Sequence, residues 1–293
     1  MNRSFNINDI FVLLSVVILG TTNVLIKLGL RELGPLSFVG LRMILTSFFM
    51  LGLLKVVEKN IRVHRSDIWP LCLLGLFGYG LFHLLFTVGI NHTTSSEASI
   101  LMATSPLYAA MISPFLGIER TGRRVIMGIL ISLCGIVIIV SRDIPKTFHF
   151  DSVFMGNLLI IGAAVSFALY NVLAKPVLGR NSPLKVTTYS IITGTVFLLP
   201  FTMGSVVRQD WLSLSHLGWF IFAFCIIITA GISYTLWTRG VAKIGATKTQ
   251  IYQNLIPVSA ISLAVPILGE SLSLLQLLGA FVAIIGVFIA RRG

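Results

Sequence analysis

Apolar runs of about twenty residues, the length a helix needs to cross the hydrocarbon core of a bilayer, follow one another through the whole chain. Charges, Gly and Pro punctuate them. They predict ten helices over about 9–30, 35–57, 68–90, 95–117, 124–141, 153–175, 184–204, 217–238, 248–268 and 272–290. Corners as brief as Leu33-Gly34-Pro35 and Gly269-Glu270-Ser271 force neighbouring helices to run antiparallel. Of 293 residues, 56% are hydrophobic and only 11% are charged, against about 25% charged in an ordinary soluble domain. Ten spans use about 200 residues, so no sizeable soluble domain fits beside them. The first run is too long for a secretory h-region, carries Lys27 and precedes no small-residue cleavage site, so it reads as a retained helix. Cys72, Cys134 and Cys225 lie in apolar runs without CxxC spacing and read as small core residues.

A net charge of +12 raises the question of a nucleic-acid partner. Placing the N-terminus in the cytoplasm answers it. The inner segments then hold Arg3, Lys55, Lys59, Arg62, Arg65, Arg120, Arg123, Arg124, Lys175, Arg180, Lys185, Arg239, Lys243, Lys248, Arg291 and Arg292, sixteen in all. The outer segments hold four, namely Arg31, Arg142, Lys146 and Arg208, while Lys27 and Arg42 fall within spans. Cytoplasmic loops are enriched in Lys and Arg. Both termini are therefore expected in the cytoplasm, and the basic excess is a topology signal that leaves no case for nucleic acid.

The chain also repeats itself. Shifting by 148 positions lays Asn23-Val24-Leu25-Ile26-Lys27 on Asn171-Val172-Leu173-Ala174-Lys175, and Pro35-Leu36 on Pro183-Leu184. Shifting by 151 pairs Gly80 with Gly231, Thr87 with Thr238, Gly89 with Gly240, Pro106 with Pro257, Glu119 with Glu270, Gly128 with Gly279 and Gly135 with Gly286. The expected fold is an all-α integral membrane protein with two five-helix units, residues 1–147 and 148–293. Five is odd, so the second unit enters the membrane from the opposite side. Inverted repeats of this kind underlie alternating access in secondary transporters.

These residues resemble the EamA family of the drug/metabolite transporter superfamily. The resemblance rests on the ten-span duplication, the early Asn/Lys helix, a Pro within the fourth helix, and Gly-x6-Gly in the fifth. Its most specific part is the pair of corners Leu116-Gly117-Ile118-Glu119 and Leu268-Gly269-Glu270. It covers about 10–141 and 153–290. It implies an inner-membrane carrier, often an exporter of amino acids or other small metabolites, with a central cavity between the repeats.

Polar groups within spans mark the candidate site, because each is costly in hydrocarbon. Residues at i, i+4 and i+7 share a helix face, which groups Tyr79, His83 and Phe86; the repeat places Tyr234 and Trp237 at matching positions. Thr104 and Tyr108 on the fourth span, and Tyr252 with Gln253 and Asn254 on the ninth, add polar tips. Asn23, Tyr170 and Asn171 complete an aromatic cavity with hydrogen-bonding groups, the usual character of a small-molecule site. Each aromatic taken singly is equally read as helix packing. Lys27 either snorkels to the interface or pairs with Glu32 or Glu97 in an outer gate. Glu97 either caps its helix or titrates in proton coupling. His83, whose side-chain type titrates near neutrality, is a candidate proton site or a neutral imidazole bonded to a neighbouring helix. Arg42 is expected to make a structural salt bridge or a hydrogen bond between helices in preference to the alternative, a substrate contact.

Gly128, Ser132 and Gly135, mirrored by Gly279, Ala283 and Gly286, form a small-residue stripe suited to close helix approach, either as scaffold or as a dimer contact. Glu119 and Glu270 are expected to stabilise the N-termini of the fifth and tenth helices. No P-loop, HExxH, GxSxG or Cys/His metal spacing occurs, so no enzyme activity, metal or cofactor is expected and a gradient must supply the energy. The expected partners are a small-molecule substrate, the lipid bilayer and protons, with the chain a monomer or homodimer. The alternative function is a flippase or scramblase for a lipid-linked substrate.

Overall fold

A computed structural model describes residues 7–58, 61–92, 98, 101–120, 122–140, 152–256, 258–259 and 274–291. The elements are α1 (Ile7–Gly29), α2 (Pro35–Val57), α3 (Arg65–His92), α4 (Ser105–Phe115), α5 (Arg123–Val140), α6 (Ser152–Val177), α7 (Pro183–Arg208), α8 (His216–Ile244), α9 (Ala246–Ile251, prolonged by a 3₁₀ turn over Tyr252–Leu255) and α10 (Leu274–Arg291). Every regular element among the described residues is helical. Six of them, α1, α2, α3, α6, α7 and α8, are long and apolar enough to cross a membrane. This is a multi-pass membrane protein. Large apolar side chains such as Phe48, Phe115 and Phe201 point outward, where a water-soluble fold would place polar ones.

Local chemistry sets several boundaries. Pro35 and Pro183 open α2 and α7, where a missing N–H costs nothing. Ser182 and Ser215 cap α7 and α8 by accepting from Lys185 N and Gly218 N, each at 3.1 Å. The fourth helix, expected over 95–117, is interrupted: Ala98, Leu101 and Met102 are helical, a turn follows in which Thr104 N donates to Leu101 O at 3.2 Å, and the helix resumes at Ser105. Pro106, with no N–H to give, fixes that break. The equivalent helix α9 changes to 3₁₀ geometry just before Pro257. Residues 256–268 of the expected ninth span lie almost wholly outside the described residues. Helices α3 and α8 each contain a π-helical stretch, Leu76–Leu81 and Phe224–Tyr234.

The helices pack in antiparallel pairs. Ser15 and Thr22 of α1 meet Ser233 and Thr229 of α8 through hydroxyl contacts of 2.8 and 2.7 Å. Ser37 and Ser47 of α2 meet Ser205 and Thr195 of α7 at 3.1 and 2.8 Å. Between α3 and α6, Gly78 lies under Tyr170 and Gly89 under Ile160. Between α5 and α10, Gly128 meets Ala290 and Gly135 meets Gly279 and Ala283. The small-residue stripes therefore face each other within one chain and act as scaffold. Cys134 differs from expectation, since it is exposed on the outer side of α5, whereas Cys225 is buried.

Polar ties gather at one end of the bundle, the end that carries most of the basic residues. Asp67 accepts from Arg180 at 2.6 Å and from Asn181 at 2.8 Å. Glu58 accepts from Ser182 and pairs with Lys185. Tyr252 donates to Asp9 at 2.6 Å, and Arg239 donates to Asn8 at 3.3 Å. Glu119 does not cap α5, as expected, but accepts from Ala246 N at 2.8 Å and Thr247 N at 3.1 Å at the start of α9. The sharp corner at Gly245, with φ of +108°, brings those two N–H groups to the carboxylate. Glu270 lies outside the described residues.

Candidate functional site

A cavity of about 140 Å³ lies between α1, α3, α6, α8 and the turns around α4 and α9. One ordered water needs roughly 10–15 Å³ by such a measure, so the space suits a small solute. Eight of the sequence-predicted residues line it: Asn23, Tyr79, His83, Phe86, Tyr170, Tyr234, Trp237 and Gln253. The rings interlock. Tyr79 meets Tyr170 and Tyr234 edge-on at centroid separations of 5.4 and 5.5 Å.

The π-helical stretches explain how the rings converge. A π turn advances the chain by one residue more than an α turn, and such insertions recur at functional sites. Tyr79 and Tyr234 sit within these stretches; by the 151-residue shift Tyr79 corresponds to Ala230 and Tyr234 to His83. Phe82, three residues after Tyr79 and four before Phe86, shares their helix face and lines the cavity beside His83, a wall residue that a grouping by i, i+4 and i+7 alone omits. Phe167 is a second missed wall residue, stacked against Phe82 at 5.0 Å and Trp237 at 5.8 Å. It lies one turn before Asn171 on α6, a signal that was present in the sequence.

The other predicted residues occupy different places. Asn171 is buried behind the cavity; its Oδ1 accepts from Trp237 Nε1 at 2.7 Å and so orients the indole. Thr104 turns its hydroxyl to Leu101 O at 2.5 Å, and Tyr108 packs half-buried among apolar neighbours. Tyr252 is taken up by Asp9, and Asn254 Nδ2 donates to Ser132 Oγ on α5 at 2.9 Å. Glu97 lies outside the described residues. Lys27 neither snorkels freely nor meets Glu32: its Nζ donates to Ile90 O at 3.1 Å, near the C-terminus of α3. Its repeat partner Lys175 does the same for Val241 O and Ala242 O of α8, at 3.2 and 3.1 Å. Both lysines thus bind carbonyls in the last turn of a neighbouring helix. Glu32 instead accepts from Ser215 Oγ at 2.7 Å.

Polar groups on the cavity wall are loosely satisfied. Tyr79 and Tyr170 hydroxyls stand 3.4 Å apart, and Tyr234 Oη stands 3.4 Å from His83 Nε2, long for bonds whose optimum is about 2.8 Å. Gln253 is buried with no partner for its Oε1 among the described residues. Behind this wall Arg42, only 3% exposed, directs Nη2 to His83 Nδ1 at 3.0 Å. A guanidinium has donors only, so Nδ1 accepts, and the imidazole is the neutral tautomer with its proton on Nε2.

A family model described as the EamA-like transporter family matches residues 6–141 and again 154–292. The chain belongs to the EamA-like transporter family. Its EamA unit is duplicated, in the same two segments. YetK, an uncharacterized transporter of Bacillus subtilis (strain 168), is 28% identical over 276 residues, covering 94% of this chain and 84% of that protein. A second uncharacterized Bacillus transporter, YyaM, is 28% identical over 92% of this chain and 89% of its own length. A "probable amino-acid metabolite efflux pump" of Salmonella typhimurium is 25% identical, over 94% of this chain and 92% of its length. A solved crystal structure matches with a TM-score of 0.77 at 18% identity, covering 95% of this chain and 94% of that one, which shows that the fold is shared.

Proposed function

We propose that this EamA transporter is a secondary carrier that moves amino acids or related small metabolites across the cytoplasmic membrane by alternating access, in the direction of export. The observation that carries the reading is the aromatic cavity with polar tips, built from equivalent helices of the two halves. The antiparallel registers support ten spans in two inverted units: α1 runs against α8 and α3 against α6, so α1 and its repeat equivalent α6 point in opposite directions. On this reading both termini are cytoplasmic and the tied, basic end is the cytoplasmic one. Asp9, Asp67 and Glu119 then hold the inner side shut, while the cavity reaches toward Ile26, Ile90 and Ala98 at the other side. The conformer is outward-facing. The cavity's volume and its amide and hydroxyl groups favour a small polar solute over a lipid-linked one.

Proteoliposomes holding the purified protein are expected to exchange labelled amino acids across the membrane. Absence of movement for every amino acid and related metabolite, with fluorescent lipid flipping present, would overturn the carrier reading. Trp237→Ala removes a wall of the cavity and is expected to lower exchange about tenfold, the equivalent of ~1.4 kcal/mol of lost contact. Unchanged exchange in that variant would place the substrate elsewhere.

A further inference from the structure

Among the described residues Arg42 is a buried cation with no acid beside it. Its guanidinium meets His83 Nδ1 at 3.0 Å, the face of Phe38 at 5.5 Å and the Cys225 thiol, all of them uncharged. The described carboxylates are committed elsewhere or far toward the helix ends: Asp9 to Tyr252, Asp67 to Arg180, Glu58 to Lys185, Glu119 to α9 and Glu32 to Ser215, with Asp210 at the exposed corner after α7. No acidic side chain lines the cavity among the described residues. Lys27 adds a second positive charge, bonded to the carbonyl of the wall residue Ile90. Arginine does not shed its proton, and a charge held in a membrane interior requires compensation.

We propose that the compensating charge is a carboxylate brought by the substrate, and that Arg42 is the positioning residue that makes the cavity select for it. The path is a hydrogen-bond relay. Arg42 donates to His83 Nδ1, which leaves the imidazole proton on Nε2, facing Tyr234 Oη at 3.4 Å. With that oxygen lone pair facing a donor, the Tyr234 hydroxyl hydrogen is free to point into the cavity, and the tyrosines Tyr79 and Tyr170 offer further loosely held donors nearby. An anion placed there accepts from hydroxyls polarised by the charge behind them. His83 then serves as a fixed neutral relay rather than as a proton carrier. On the far wall the unpartnered Gln253 Oε1 accepts only from a donor, so it tolerates an N–H on the same solute.

This inference rests on the cavity being the substrate site, and its test separates binding from transport. The full-length protein in lipid nanodiscs is titrated with leucine, isocaproate, leucinamide and isoamylamine, with tryptophan fluorescence as the readout. These share one hydrocarbon body; the first two carry a carboxylate and the last two do not. Leucine and isocaproate are expected to bind at least about tenfold more tightly than the other two, the effect of a charge-assisted hydrogen bond. Arg42→Gln is expected to bring the set to near parity, while Arg42→Lys keeps a clear carboxylate preference, and melting curves of both variants confirm folded protein. Equal binding of amide and carboxylate by the unaltered protein, no saturable binding of any of the four, or an undiminished preference in Arg42→Gln each overturns the proposal. Carboxylate-selective binding without flux in proteoliposomes would overturn the carrier reading and leave this one standing. Flux indifferent to the carboxylate would do the reverse.

Discussion

Gly135→Leu is expected to abolish recovery of folded protein. A Cβ at this position meets backbone rather than flexible side chain, namely Ala283 N and, at 2.6 Å, Gly279 O. The facing helix α10 presents its own glycine in return, since a Cβ on Gly286 meets Gly128 O at 2.6 Å and the Ser132 backbone. Neither side can yield without moving a whole helix. Overpacking a core costs about 1–3 kcal/mol when side chains can adjust, and here they cannot, so the penalty lies at or above the top of that range. Association of helices in lipid depends on close packing, because the lipid is as apolar as the side chains. Losing the approach of α5 to α10 therefore removes the term that holds the pair together. Size-exclusion profiles in detergent should show aggregate in place of a single peak, and the melting transition should vanish. Cys134→Leu is the control: that neighbour is exposed and its replacement should leave both measurements unchanged. A folded, monodisperse Gly135→Leu protein would refute the backbone-contact account.

The glycine stripe was legible in the sequence because spacing alone puts Gly128, Ser132 and Gly135 on one face. What spacing left open was which surface they meet, and only the packed chain answers that. The cavity shows the same division. Tyr79, His83 and Phe86 follow α-helical spacing and do line it, as do Tyr234 and Trp237. Phe82 was equally legible, because i+3 from Tyr79 lies on the same helix face, and only the restriction to i, i+4 and i+7 passed it over. Tyr252 and Asn254 were misplaced because the helix before Pro257 tightens to 3₁₀ geometry and turns them toward Asp9 and Ser132. Charged groups were the least legible. Lys27 and Lys175 bind helix-end carbonyls of a different helix, and Glu119 caps a helix far along the chain. Local sequence offers only nearby partners, whereas a bundle offers distant ones.

Glu119→Ala is expected to loosen the basic end of the bundle. The carboxylate lies between α4 and α5 of the first half and accepts two backbone N–H groups, of Ala246 and Thr247, from the second half. It is thus a cap that also ties the halves together. Loss of an N-cap costs about 0.5–2 kcal/mol, and the negative charge at a helix N-terminus contributes a further part of that favourable interaction. Because the tie joins the two halves at the end read as closed, the cost falls on the closed conformer alone, and an equilibrium responds only to such differences. At ~1.4 kcal/mol the population of the open alternative rises about tenfold. A cysteine placed at Thr247, itself 4% exposed, reports on that population through its rate of reaction with a membrane-impermeant maleimide applied from the basic side. The rate should rise by about the same factor in Glu119→Ala. Glu119→Gln, which keeps one acceptor oxygen and loses the charge, should fall between the two. Gly245→Ala gives an independent route to the same opening: a Cβ there lies 2.8 Å from Glu119 Oε1 and φ is +108°, so the added methyl both strains the corner and pushes the carboxylate away. Labelling that is unchanged in both Glu119→Ala and Gly245→Ala would show that the basic end is held by Asp9, Asp67 and Glu58 without this contact.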